Sequence, residues 1–149
     1  MTVMAIPNFE RFFREAASIE VDKNDLKRYS DFVNTKLYDL LLMGQVAAKA
    51  NGRDIIEPWD LPITKGLQEC IHRYDKMEED IELQPVLAQL AQLPQLDLDS
   101  SEETRARLPG LAGGISFALA QSFKIIDTKL KNPSTEHWER AFQLFHLLL

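Results

Sequence analysis

The sequence predicts an all-α protein that forms one domain from two similar halves. Apolar residues recur at helical spacing through most of the chain, and capping residues and prolines divide them into short, long and short runs. This order occurs twice, and the two caps assigned to the long helices, Asp22 and Ser100, lie 78 positions apart. We therefore place one repeat at about residues 7–80 and the other at about residues 84–149 of a single 149-residue domain.

The first half contains a short helix, a long helix and a second short helix. Pro7 suits a helix start because it has no N–H to leave unpaired there. Asp22 is expected to cap the long helix, and Asn51 followed by Gly52 is expected to end it. Pro58 is expected to open the third helix for the same reason as Pro7.

The second half repeats this order with different residues. A short helix ended by Pro94 is predicted from the spacing of Val86, Leu87, Leu90 and Leu93. Ser100 with Glu103 predicts a capping box for the second long helix, in which Pro109 is expected to cause a kink or a break. Ser134 is expected to cap the closing helix.

Composition limits the classes of function. A single cysteine, Cys70, cannot form an internal disulfide, and neither a leader nor a membrane-spanning run is recognisable. We therefore expect a cytoplasmic protein, with the nucleoid as a candidate location and no membrane partner. The formal charge of −6 is opposite in sign to that of most nucleic-acid binders, so any DNA contact has to be local.

The residue types of an active site do not occur in a catalytic arrangement. His72, His137 and His146 lack the spacing of zinc ligands, and Glu69 with His72 is one pair where a di-iron bundle needs two. A surface histidine is the favoured interpretation. Cys70 is interpreted as a core residue rather than a nucleophile. The sequence thus predicts no enzyme, metal, cofactor or small-molecule substrate.

The segment 51–61, NGRDIIEPWDL, is similar to the second loop and third-helix start of archaeal histones. This resemblance implies that Arg53 pairs with Asp60, seven positions later. A bidentate guanidinium–carboxylate bond would lock the loop onto the helix start, whereas the simpler interpretation is an exposed ion pair.

From about Phe9 to its C-terminus, the chain resembles the bacterial double-histone-fold proteins, or pseudodimeric histones. The resemblance rests on DKNDLKR at 22–28, KLYDL at 36–40, NGRD at 51–54, LPI at 61–63 and KNP at 131–133. It implies two histone folds clasped in a handshake within one chain. Two departures stand out: Lys131 and Trp138 replace the arginine and aspartate of the second lock, and Ala50 replaces a histidine that archaeal histones use between dimers.

A handshake would cross the two long helices near their midpoints, where Leu37 and Gly113 lie. We expect Gly113 to permit close helix contact there. Trp59 and Trp138, like the phenylalanines, are expected to be core or interface anchors because of their helical spacing.

A handshake would also place the first loop of each half beside the second loop of the other. One edge, the basic edge, would then carry Lys23, Lys27, Arg28, Lys129 and Lys131. The other, the acidic edge, would set Arg53 beside Asp97, Asp99, Glu102 and Glu103. Only the basic edge could accept DNA phosphates.

Two functions fit these features. The favoured one is a non-enzymatic interaction module that assembles with itself or with other proteins through exposed helix faces. The alternative is a nucleoid-associated protein that binds duplex DNA weakly and without sequence preference through the basic edge.

Overall fold

The periodic apolar residues form helices through most of the part of the chain that the structure, a computed structural model, describes: residues 6–77, 88 and 90–149. The helices are α1 (Ile6–Ala17), α2 (Leu26–Ala50), α3 (Lys65–Lys76), α4 (Glu102–Ile126) and α5 (Thr135–Leu148). Two short strands, β1 (Ile55–Ile56) and β2 (Asp99–Ser100), pair in parallel. The expectation of a mainly helical protein is confirmed. No helix in these residues is long and apolar enough to cross a membrane.

The boundaries of α2 follow from its caps. The Asp22 side chain accepts a hydrogen bond from Asn24 N–H at 2.7 Å, and Asp25 accepts one from Asp22 N–H at 3.2 Å. This capping box opens one 3₁₀ turn, and the turn continues directly into α2. At the other end Gly52 adopts φ 71°, a conformation that favours glycine. The predicted start and end of the long helix are both confirmed.

The third helix starts later than predicted. Pro58 opens only a 3₁₀ turn, because Leu61 stands before Pro62 and is extended with ψ 132°. α3 begins after Thr64, whose hydroxyl accepts a hydrogen bond from Leu67 N–H at 3.1 Å.

Trp59 was expected to be a core or an interface anchor, and the core assignment is wrong. Its side chain is 70% exposed, while Pro58 and Asp60 are the residues that this 3₁₀ turn buries. A three-residue turn can bury two of its side chains only by directing the third outward. Trp138, in contrast, is fully buried.

The second half also differs from the prediction at its start. Ser101, not Ser100, caps α4 by accepting a hydrogen bond from Thr104 N–H, because Ser100 is part of β2. The helix continues through Pro109 without a break. Ser134 is the N-cap of α5, as expected, and its N–H donates to His137 Nδ1 at 3.0 Å.

The predicted short helix before Pro94 is only partly described. Val86 and Leu87 lie outside the described residues. Ala88 and Leu90 are helical, and a turn follows from Ala91.

An aromatic cluster joins α1 to three other helices. The ring of Phe13 in α1 lies 5.6 Å from that of Tyr29 in α2, 6.4 Å from that of Phe123 in α4 and 5.9 Å from that of Trp138 in α5. All four side chains are almost completely buried. The core therefore draws its largest side chains from both ends of the sequence.

The glycines of α4 face α3 rather than the crossing with α2. A Cβ added to Gly113 would lie 2.3 Å from the ring of Tyr74, and one added to Gly114 would lie 3.1 Å from Ile71 Cα. Leu37 is fully buried, but the close approach that Gly113 permits is with Tyr74. The close contact expected at Gly113 is therefore with α3, whereas the crossing of the long helices near Leu37 and Gly113 stays a prediction.

Candidate functional site

The basic edge and the acidic edge lie at opposite ends of α2. Near its start, Glu20 N–H donates to Lys131 C=O at 2.6 Å and joins the loop before α2 to the loop before α5. Near its end, β1 pairs with β2, with Ile55 opposite Asp99. The 25 residues of α2 separate the two contacts by about 37 Å. These are the two loop neighbourhoods from which the charged edges were predicted.

The basic edge contains three lysines that are free to meet an anion. Lys23, Lys129 and Lys131 are exposed, and no ion pair joins them to any residue that the structure describes. Lys27 is also exposed, but its Nζ lies 2.7 Å from Asp31 Oδ2. The positive charge of this edge is therefore smaller than its five basic residues suggest.

Arg28 is directed toward the interior of the protein. Its Nε lies 3.6 Å from Asp25 Oδ1, and its guanidinium carbon lies 6.0 Å from the centroid of the Trp138 ring. Burial raises the pKa of the Asp25 carboxyl, against the opposing effect of a backbone hydrogen bond from Asp22. Arg28 thus sits beside a buried carboxyl group and a core tryptophan, and its part in binding an external anion is reduced.

The acidic edge keeps most of its negative charge. It exposes the carboxylates of Asp97, Asp99, Glu102 and Glu103. Lys49 Nζ pairs with Asp97 at 2.6 Å, whereas the Arg105 guanidinium donates to the carbonyl of Ser100 at 2.8 Å. No described cation pairs with the other three carboxylates, so this end of the molecule repels a polyanion.

Arg53 and Asp60 form a bidentate pair. Arg53 Nη1 donates to Asp60 Oδ2 at 2.6 Å, and Nη2 donates to Oδ1. The Asp60 carboxylate also accepts Glu57 N–H at 2.8 Å, and its side chain is only 2% exposed. The hydrogen bonds from Arg53 lower the pKa of the Asp60 carboxyl below its ordinary value and raise the pKa of Arg53. The pair thus fastens the loop after α2 to the turn before α3.

The corresponding loop of the second half is held by other contacts. Lys131 is exposed and Trp138 is buried in the core, so the two do not form a polar pair. Instead, Lys124 Nζ donates to Leu130 C=O at 2.7 Å, and Lys131 C=O accepts Glu20 N–H. A lysine on α4 replaces the arginine of the first loop.

The residues considered for chemistry do not converge. Glu69 pairs with Lys65 at 2.9 Å and His72 is exposed. In the described part of the chain, no three His, Cys, Asp or Glu residues stand together as metal ligands. Cys70 is half-buried, and burial raises the pKa of its thiol, which disfavours the thiolate.

One helix face exposes large apolar side chains. Leu42, Met43 and Val46 are 39%, 52% and 53% exposed, and together they form what we call the apolar face of α2. These three residues were not among the predicted sites. Four consecutive apolar residues at 40–43 were an available signal, because a helix packed along one side cannot bury all of them.

Comparison with known proteins assigns the chain to a family. The model of a family described as a domain of unknown function, DUF1931, matches residues 9–146, almost the full length. The chain belongs to the DUF1931 family. Two relatives of the chain in Aquifex aeolicus (strain VF5) are described as uncharacterised proteins. One is 27% identical over 135 residues, covering 91% of this chain and 78% of the relative; the other is 30% identical over 137 residues, covering 83% and 80%.

Solved structures support the fold of this DUF1931 chain. A crystal structure of a protein from Thermus thermophilus is 53% identical, with a TM-score of 0.93, and the match covers 99% of this chain and 100% of that one. A crystal structure of a protein from Aquifex aeolicus is 24% identical, with a TM-score of 0.85 and coverage of 100% and 98%. At that identity the second match supports the fold alone.

Proposed function

We propose that this DUF1931 chain is a non-enzymatic histone-fold pseudodimer that acts as an assembly module and binds duplex DNA weakly or not at all. The single observation that carries the assembly role is the exposure of Leu42, Met43 and Val46 along one side of α2. Large apolar side chains grouped on one helix face are typical of a protein contact surface.

The pseudodimer interpretation is supported by the two loop contacts. In a handshake, a loop of each half lies beside a loop of the other half. The hydrogen bond between Glu20 and Lys131 and the pairing of β1 with β2 are contacts of that kind. α2 runs from the first contact to the second, whereas α4 begins at the second and ends near the first. Two long helices that run between the same two loop contacts in opposite senses are what a handshake requires.

We propose a second copy of this chain as the partner of the apolar face. A two-fold axis near Gly44 would place two α2 helices antiparallel, with Leu42 of each copy opposite Val46 of the other. The same arrangement would bring Asp39 toward Lys49, because these residues lie three positions beyond Leu42 and Val46. Opposite charges at both ends of an apolar stripe favour self-association in this register.

The test is the oligomeric state of the full chain measured by sedimentation velocity. We expect a dimer at concentrations of tens of micromolar, with Val46→Glu shifting it to monomer because a carboxylate would be buried in the contact. Ile125→Glu is the matched control, since Ile125 is 80% exposed on another helix and should leave the dimer intact. A monomeric wild-type chain, or a Val46→Glu variant that still dimerises, would overturn the proposal.

A nucleoid-associated DNA-binding role is the second candidate, and the basic edge favours it. Lys23, Lys129 and Lys131 are exposed on two loops that the Glu20–Lys131 hydrogen bond joins. Three free lysines imply few phosphate contacts and therefore little release of counterions. A salt titration of gel-shift binding to duplex DNA separates this role from the assembly role, because the two roles use different surfaces.

A further inference from the structure

A cavity of about 680 Å³ lies between the N-terminal half of α2 and the C-terminal half of α5. Its lining does not include Leu42, Met43 or Val46 of the apolar face. Its volume is within the range of small-molecule sites. We call it the α2–α5 groove, and its lining includes Arg28, Phe32, Lys36, Phe142 and Leu147.

The buried lysine of this groove is unusual. The Lys36 side chain is only 5% exposed, and its Nζ lies 3.4 Å from Asp39 Oδ2. A charge-assisted hydrogen bond is normally about 2.7–2.9 Å long, so this pair is weak. Among the residues that the structure describes, Asp39 is the one acceptor within hydrogen-bond distance of Lys36 Nζ. Burying an ammonium group is costly unless a well-placed anion compensates it.

The remaining charges of the groove do not supply that anion. Asp31 lines it, but its carboxylate already binds Lys27 at 2.7 Å. Arg28 adds a second cation to the lining, and its Nε lies 3.6 Å from Asp25 Oδ1. The groove thus presents an undercompensated positive charge.

The rest of the lining is apolar. Phe32 and Phe142 stack with ring centroids 4.5 Å apart and form a wall, and Leu147 lies beside them with 80% of its surface exposed. A cationic end beside an aromatic wall suits a ligand that has one anionic group and an apolar body.

We propose that the α2–α5 groove binds a small amphipathic carboxylate. The carboxylate would pair with Lys36, and the hydrocarbon part would lie on Phe32, Phe142 and Leu147. A single negative charge matches the single ammonium that lacks a close partner. The groove shares Arg28 with the basic edge, and Asp39 also lies in the proposed dimer contact. Its test is still separate from those of the proposed function, because it measures binding of a small carboxylate and neither DNA binding nor the oligomeric state.

Octanoate is the probe, and isothermal titration calorimetry on the full chain is the measurement. We expect a dissociation constant of about 0.1–1 mM, the range that a ligand of this size reaches. Octanol, which has the same chain without the charge, should bind at least tenfold more weakly. Absence of octanoate binding up to several millimolar, or equal binding of octanol, would overturn the proposal.

Two variants locate the site. Lys36→Met removes the charge but keeps the side-chain length, and it should weaken octanoate binding at least tenfold, whereas Lys23→Met, on an exposed lysine, should change it less than twofold. Leu147→Asp should also weaken binding severalfold without disturbing the core, because that side chain is largely exposed. Unchanged affinity in Lys36→Met, with circular dichroism showing a folded chain, would place any octanoate elsewhere and refute the site.

Discussion

The hydroxyl of Tyr29 in α2 lies 2.6 Å from the hydroxyl of Ser116 in α4, and the two residues are 87 positions apart in the chain. Both are almost completely buried. Burial raises the pKa of Tyr29 far above its ordinary value, so the hydroxyl is protonated at neutral pH. This contact is a polar link between the two long helices inside an apolar core.

Removing one partner of this hydrogen bond should cost more than removing the other. In Tyr29→Phe, Ser116 still donates to Ala112 C=O at 2.7 Å, so we expect a loss of about 1 kcal/mol in the free energy of unfolding. In Ser116→Ala, a buried tyrosine hydroxyl loses its partner, and we expect about 1–3 kcal/mol. Urea denaturation measures both, and a larger loss in Tyr29→Phe would contradict this assignment.

Added methyl groups should test the contact between α3 and α4. In Gly114→Ala the new Cβ would lie 3.1 Å from backbone atoms of Ile71, which cannot move as a side chain can. We therefore expect the free energy of unfolding to fall by about 1–3 kcal/mol. Gly66→Ala is the control, because nothing lies within 4 Å of that position and alanine favours the helix. It should leave stability unchanged or raise it by up to about 1 kcal/mol. Equal effects in thermal melts would show that the helices are not in close contact.

Acid should destabilise the protein in part through Asp60. The folded-state pKa of this carboxyl is below its unfolded value because Arg53 donates to it. Its contribution is therefore complete above the unfolded pKa of about 4 and is lost as pH falls through the folded pKa. Asp60→Asn should lower stability at neutral pH and reduce the loss of stability below about pH 4.

The control for that experiment is Asp97→Asn. Asp97 also has a lowered pKa, due to its hydrogen bond with Lys49, but its side chain is 74% exposed and salt screens the pair. In about 1 M salt the acid dependence due to Asp97 should disappear, whereas that due to Asp60 should remain. Denaturation curves at a series of pH values measure both dependences. Identical curves for Asp60→Asn and wild type would refute the role of the Arg53–Asp60 pair.

Any binding of duplex DNA should be weak and confined to the basic edge. We expect a dissociation constant in the micromolar range or weaker near physiological salt, without preference for sequence. Charge reversal at Lys129 and Lys131 should abolish it, whereas charge reversal at Arg105 and Arg107 should change it little. Nanomolar binding in about 150 mM salt, or binding that survives loss of the two lysines, would make the DNA-binding role the leading one.

The two halves should not fold apart from each other. Phe13 in the first half packs against Phe123 and Trp138 in the second, so each half alone would expose part of the shared aromatic cluster. A fragment that ends near Glu82 should be molten, insoluble or domain-swapped. Cooperative unfolding of a monomeric fragment, followed by circular dichroism and sedimentation, would contradict the intramolecular pseudodimer.

Sequence periodicity predicted the fold best where local chemistry decides it. The capping box at Asp22 and the positive φ of Gly52 depend on neighbouring residues, so both ends of α2 could be predicted. Trp59 was misassigned because its exposure depends on which residues of a short turn reach the core, which no helical period describes.

The candidate sites were likewise predicted where they lie within one sequence motif and missed where they depend on packing. Arg53 and Asp60 are seven positions apart in one motif, and they form the expected contact. The neighbour of Gly113 was missed because the direction of an absent Cβ depends on how three helices pack. The burial of Lys36 was also missed, because lysine side chains are mostly exposed and the residue type gave no signal of burial.

The two charged edges also give the described part of the chain an unequal charge at the two ends of α2. In a homodimer of identical subunits, a two-fold axis would repeat every charge at both edges and cancel any dipole perpendicular to that axis. In a single chain the two edges can carry different charges, because each residue occurs only once. In the proposed dimer the two α2 helices are antiparallel, so the unequal charges of the two chains would oppose each other along that helix. A preferred end toward a charged object would then be a property of the separate chain.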